Sequence, residues 1–298
     1  MNVADDRELR LFGGVAVQSH RPADAAVVGV LRSGVEDVVR ATMHMDLTWG
    51  TFAATAADDL GSRRSTTGRN RLDWRFIEAK GRERRLESVA LGAQSTTMKQ
   101  AFDANPDFDL YDPHVDVAVV EARFPADVPY RDEAVGGVTA GVLMSTWALG
   151  DSSTSWSDAV GALSEWVVRS AEELGADCGF VVCGRLPASG NLTSPYEIWT
   201  QTHVADRDLA RHLWGYGWGT LLSAHHVAAV GGIARLESVG AVRLVGGGHV
   251  WLTVGGDPAA VDLAALARLR AVLAPVLRGY AEVSPDEEPG PEWYLPQP

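Results

Sequence analysis

Apolar side chains recur in steps of three and four at Val28, Leu31, Val35, Val38 and Val39, the spacing of one helical face, which predicts a helix over 25–43 despite Gly29 and Gly34. β-Branched and aromatic residues then predict a strand over 45–54, followed by a polar, Arg-rich loop over 61–70 and a short strand over 72–76. Leu86, Val89, Ala90, Ala93 and Met98 fit a helix over 82–102 that stops before Asn105-Pro106. Two more strands are expected over 115–124 and 141–149. The best-marked helix starts near Ser155 or Ser157, carries Val160, Leu163, Val167, Ala171 and Leu174 on one face, and ends at Gly175, a natural residue for leaving a helix. A strand follows over 178–186. Further on, Ser194-Pro195 can open a helix, the run through Trp214, Tyr216 and Trp218 reads as strand-like, and Ser223 caps a short helix closed by Gly231-Gly232. Residues 241–254 form a hairpin turning at Gly246–Gly248, and Asp257-Pro258 opens a last helix with Leu266, Leu269, Leu273 and Val276 on its face. Residues 1–22 read as a leader with a loop or short strand, to which no function is assigned.

Runs of strands and helices in this order predict an α+β fold rather than an alternating parallel one: a mixed or antiparallel sheet with helices packed on it, with room for two intertwined sub-domains. The expected division is an N-terminal α+β half over 1–114, a second α+β half over 115–280, and an acidic, Pro-rich tail over 281–298.

Composition then narrows the function classes. The chain has 298 residues, 46% of them hydrophobic and 22% charged, which is enough apolar material for a sizeable core. Its net charge of -13 opposes a general role on nucleic acid, where clustered cations must displace counterions, and suits a basic protein partner. Two cysteines make no disulfide framework, and the expected compartment is the cytoplasm; neither a basic-then-apolar leader nor an apolar run long enough for a bilayer is seen, so no membrane partner is expected. Much of the acid lies over 103–116 and 286–292, with Arg63, Arg64, Arg69 and Arg71 as a basic exception.

Candidate chemistry is sparse. Asp103, Asn105, Asp107 and Asp109 alternate like the opening of a calcium loop, but Phe108 stands where the turn glycine belongs and His114 where the bidentate Glu belongs. A solvated acidic loop, or an acidic surface with Asp107, Asp109 and Asp112 facing a basic partner, fits better. None of the eight histidines has metal-ligand spacing, so no metal and no cofactor are expected. His249 could act as a general base if a carboxylate such as Asp46 or Asp116 faces it. There is no nucleophile elbow, and neither GGIARL nor GGGH is a phosphate loop. Cys178 and Cys183, an odd separation apart, fall on opposite faces of their strand. Trp214, Tyr216 and Trp218, with Trp251 as a neighbour, are the most unusual local feature: at strand spacing they share one face, where they fill a core or form a binding surface. The tail pair Trp293-Tyr294 can latch onto a groove of its own fold or of a second subunit, and a homo-oligomer is open.

One stretch bears a family likeness. Trp218, Leu221 and Leu222, the double glycine Gly231-Gly232, the exit Gly255, Pro258 and Asp262 into the last helix, and the closing Leu273 and Pro275 are similar to the end of the type VI immunity protein family, formerly a domain of unknown function. The helix over 157–174 and the following CGFVVCGRLP also look like that family, so the resemblance spans about 115–278. It does not extend before residue 115, and the acidic tail is an addition. The resemblance implies an α+β protein that binds and neutralises a toxin or effector by contact, without chemistry of its own. The alternative is a small-molecule enzyme of bacterial specialised metabolism, with a Trp-lined pocket and acid–base catalysis by His249 with Asp46 or Asp116.

Overall fold

The computed structural model describes residues 9–20, 22–55, 65–69, 71–82, 86–96, 116–124, 137–149, 153–185 and 208–277. Among these residues ten strands form one antiparallel sheet: β1 (Leu9–Val17), β2 (Leu47–Thr55), β3 (Ser65–Arg69), β4 (Leu86–Ser95), β5 (Asp116–Arg123), β6 (Val138–Ser145), β7 (Cys178–Arg185), β8 (Gly219–Leu222), β9 (Ala241–Leu244) and β10 (Val250–Thr253). Their order is β3-β2-β4-β5-β6-β1-β7-β8-β10-β9. With the helices packed on it, this is the expected α+β architecture, and strands from both sides of position 115 contribute to the same sheet.

The stretch read as a leader is the middle of that sheet. β1 pairs with β6 on one side and β7 on the other, through Gly14↔Gly141 and Gly14↔Phe180. Its alternation sorts two cores: Leu11, Val15 and Val17 face one layer, Phe12 and Ala16 the other. The first layer holds α1 (Asp24–Ser33), α2 (Trp74–Arg82) and α3 (Ser153–Leu174). The second holds the 208–218 segment and α4 (Ala224–Ala229), α5 (Ile233–Glu237) and α6 (Leu263–Leu273). Cys183 lies in the first core and Cys178 in the second, both free and buried, as their odd spacing required.

Glycines set how closely the layers approach. A β-carbon on Gly13 would lie 2.8 Å from the Leu163 side chain of α3, and one on Gly14 would lie 2.6 Å from the Trp214 ring on the opposite face. Gly14→Ala is therefore expected to cost roughly 1–3 kcal/mol by overpacking, read as an earlier denaturant midpoint. Unchanged stability would mean that Trp214 is not seated against β1.

Several elements differ from the sequence reading. Residues 86–95 form strand β4, not helix; Val89, Leu91 and Ala93 alternate into the first core, but the small residues Ala90 and Gly92 between them leave only a weak polar phase to distinguish it. The expected strand over 72–76 instead opens α2, because the Asp73 carboxylate accepts the Phe76 N–H at 3.0 Å and caps the turn. That bond, more than the nearby Arg71, holds the Asp73 carboxyl below its usual range. Part of the expected loop is β3, an edge strand paired with β2. The helix after Pro22 continues from α1 through a π turn over Gly34–Val39, where the Val30 carbonyl accepts both the Trp166 indole N–H at 3.1 Å and the Ser33 hydroxyl at 3.0 Å. Those extra donors compete with the regular ladder at the point where its pitch changes. At the chain's far end, Asp257 caps only the short turn Pro258–Ala260, and Asp262 caps α6.

Candidate functional site

The end of the sheet formed by β8, β10 and β9 is where exposed apolar surface and open backbone meet. α3 crosses the first face there and leaves a groove of about 530 Å³, walled by Trp156, Ser164, Trp218, Arg243, Trp251 and Asp257. Strand alternation puts Arg243 opposite Trp251 in the β9–β10 register, so both point to the α3 side. Asp257 Oδ1 accepts the Trp156 indole N–H at 2.9 Å and the Ala259 N–H at 2.9 Å, which fixes one wall. Arg243 reaches Glu165 of α3 at 2.6 Å across the groove; both side chains are about half exposed, so the pair is worth at most about 1 kcal/mol. The Trp218 indole N–H is buried without a partner among the described residues.

On the other face of the same strands lies a second apolar pocket of about 390 Å³, lined by Val227, Ala228, Ile233, Leu244, Val245 and Val250. Ile233 at 39% and Leu244 at 71% exposure are the exposed large hydrophobic residues among those described. β9 separates the two pockets and is the terminal strand of the sheet among the described residues.

The aromatic tract does not act as one stripe. Residues 214–217 are irregular, and without a pleat a spacing of two keeps no common face. Trp214 is fully buried against Phe12 and Phe180, with ring centroids 6.1 and 5.1 Å away in edge-on packing, and Tyr216 is buried in the same core. Trp218 crosses to the first face, where it meets Trp251 and Trp156, the last of which the sequence reading did not single out. Its position on the groove side of α3, one turn before Val160, was the available signal.

His249, Asp46 and Asp116 are not brought together. Asp46 is exposed just before β2, seven strand spacings from β10 and thus about 34 Å along the sheet. Asp116 starts β5, five spacings from β10, about 24 Å. Both ring nitrogens of His249 face backbone carbonyls, Nε2 at 2.8 Å from Ala176 and Nδ1 at 3.1 Å from Gly246, so the imidazole fastens the hairpin turn to the end of α3. Burial, and then the charge of Asp257, push the Cys183 thiol up to about 12, which makes it inert as a nucleophile. Among the described residues no group of three or more His, Cys, Asp or Glu converges on a metal position, and no helix is long and apolar enough to cross a membrane. Asp107, Asp109, Asp112, Trp293 and Tyr294 lie outside the described residues.

No family model matches the chain, and no curated protein matches it. Among solved structures, the chain is similar to Pseudomonas aeruginosa T6SS protein PA0821, with a TM-score of 0.53 and 13% identity over 90% of this chain and 73% of that one. At that identity the likeness is one of fold.

Proposed function

We propose that this chain is a non-enzymatic, immunity-like cytoplasmic protein that binds and neutralises a basic toxin or effector. The observation that carries this reading is the end of the sheet: a strand, β9, that has no partner on its outer side among the described residues and bears the exposed Leu244, with acidic side chains along the adjoining helix. Such a surface offers backbone hydrogen bonds, apolar contact and charge, which are the components of a protein interface rather than of a reaction. The residue pattern over 115–278 that resembles type VI immunity proteins, and the fold likeness to a T6SS protein, support the same reading. The acid–base alternative needs His249 to meet Asp46 or Asp116, and the strand order separates them.

Co-expression with the product of the neighbouring gene tests the proposal. A stable complex and protection of growth are the expected results, with an association rate that falls at least tenfold between low and high salt, as complementary fields require. Absence of both complex and protection overturns it.

A further inference from the structure

The hydrogen-bond phase of the β9–β10 hairpin settles which backbone groups are free. Val254 N–H donates to Trp218 O on the β8 side, and Val245 N–H donates to His249 O within the hairpin. Alternating from these two, Ala241, Arg243 and Val245 turn their peptide groups inward to β10, whereas Val242 and Leu244 turn theirs outward. Neither Val242 nor Leu244 has a strand partner on that side among the described residues.

An added strand would alternate its own side chains between the two faces, and each face holds a pocket of different chemistry. On the α3 face are three indoles, Arg243 and carboxylates: Asp158, Glu165 and Glu172 stand seven residues apart, so they form one exposed acidic row along the helix, of which Glu165 is offset by Arg243 at 2.6 Å and Glu172 accepts the Gly246 N–H at 3.0 Å where the hairpin turns. Cationic side chains fit there, against carboxylate and indole face together. On the opposite face the lining is aliphatic around Ile233 and Leu244.

We infer that the outer edge of β9 takes up an extended segment of a partner protein in which basic residues alternate with aliphatic ones. The basic side chains lie toward α3 and the aliphatic ones enter the Ile233/Leu244 pocket. Val242 and Leu244 supply the backbone bonds. A second copy of the chain fits less well: antiparallel pairing of β9 with its own copy is two-fold about an axis normal to the sheet, which keeps both α3 helices on one face and turns their acidic rows toward each other. The inference names the segment recognised under the proposed function and rests on that reading for its biological partner, but its test does not use the effector.

The probe is an acetylated eight-residue peptide alternating Arg and Val, titrated into the isotope-labelled full chain while amide and indole resonances are followed. Expected are shifts confined to 241–245, to Val227 and Ile233 of the aliphatic pocket, and to the indoles of Trp156, Trp218 and Trp251, absent with a Glu-Val peptide and weakened at higher salt. Leu244→Pro removes one outward N–H without touching a hairpin bond, and is expected to weaken binding at least tenfold. The pair Glu165→Gln and Glu172→Gln, which keeps the acceptor for Gly246, gives a several-fold loss if the proline variant fails to fold. No shifts at these sites, equal binding of the Glu-Val peptide, or a dimer of the free chain that Leu244→Pro dissociates would overturn the inference. Peptide binding without an effector complex leaves the edge assignment standing and removes the neutralising role; an effector complex insensitive to Leu244→Pro does the reverse.

Discussion

Trp214→Ala is expected to destabilise the chain by about 3–5 kcal/mol, the range for deleting a fully buried Trp, whereas Trp218→Ala is expected to cost roughly 1–2 kcal/mol. The two residues are four apart in sequence, but Trp214 closes a ring of aromatics with Phe12 and Phe180 over Gly14, and Trp218 is only half-buried at the groove. Truncating the first opens a cavity that β1 and β7, the middle of the sheet, cannot close. In a thermal scan the difference appears as a drop on the order of 10 °C for Trp214→Ala and only a few degrees for Trp218→Ala. Binding separates them in the other direction: Trp218→Ala, still folded, is expected to lose affinity for the Arg-Val peptide. Equal losses of stability in the two variants would show that the tract acts as one unit after all.

A second large effect is acid sensitivity centred on His226. Its imidazole is buried at the start of α4, with Nδ1 3.1 Å from the Ser223 hydroxyl and 3.4 Å from the Ser223 N–H in a capping box, and Nε2 without a partner among the described residues. Burial first, then the neighbouring His225, lower its pKa to about 4, against the opposing charge of Asp177 and a backbone contact at Leu209; His212 adds to the lowering. The folded pKa lies below the unfolded value of about 6.5, so between these values the unfolded chain binds the proton that the folded chain refuses. Stability from this group is therefore complete above pH 6.5 and is lost as pH falls toward 4. Between pH 7 and 5 the loss should be about 2 kcal/mol, and the full shift is worth on the order of 3 kcal/mol. His226→Gln keeps a side chain suited to the capping box but cannot titrate, and should flatten this part of the curve. Urea unfolding at stepped pH reads it; parallel slopes for parent and variant would place the acid sensitivity elsewhere.

What the sequence reveals here depends on how each segment is buried. α3 is amphipathic along its length, so its period, its serine-rich start and Gly175 with a φ of 63° locate it. The β9–β10 hairpin is equally legible, because Gly247 and Gly248 supply the positive φ that its turn requires. β1 and β4 are not: β1 is covered on both faces and carries no polar phase, β4 has small residues at Ala90 and Gly92 where a polar phase would show, and β1 in addition holds glycines whose purpose is an approach from α3 and Trp214, far along the chain. The candidate site was legible only in part. Trp218 and Trp251 do meet at the groove, but the sequence cannot show that the chain leaves the pleat between Trp214 and Trp218, nor that β9 ends the sheet. Both are decided by tertiary pairing.

β1 also sets a schedule for synthesis. It is made before the other described strands, yet both of its neighbours lie far downstream, at Val138–Ser145 and Cys178–Arg185. A growing chain must therefore carry this apolar segment unpaired until residues 138–145 have emerged, and paired on one side only until 178–185 follow; its pairings are among the most non-local in the sheet. Such topologies fold slowly and expose an aggregation-prone strand on the way.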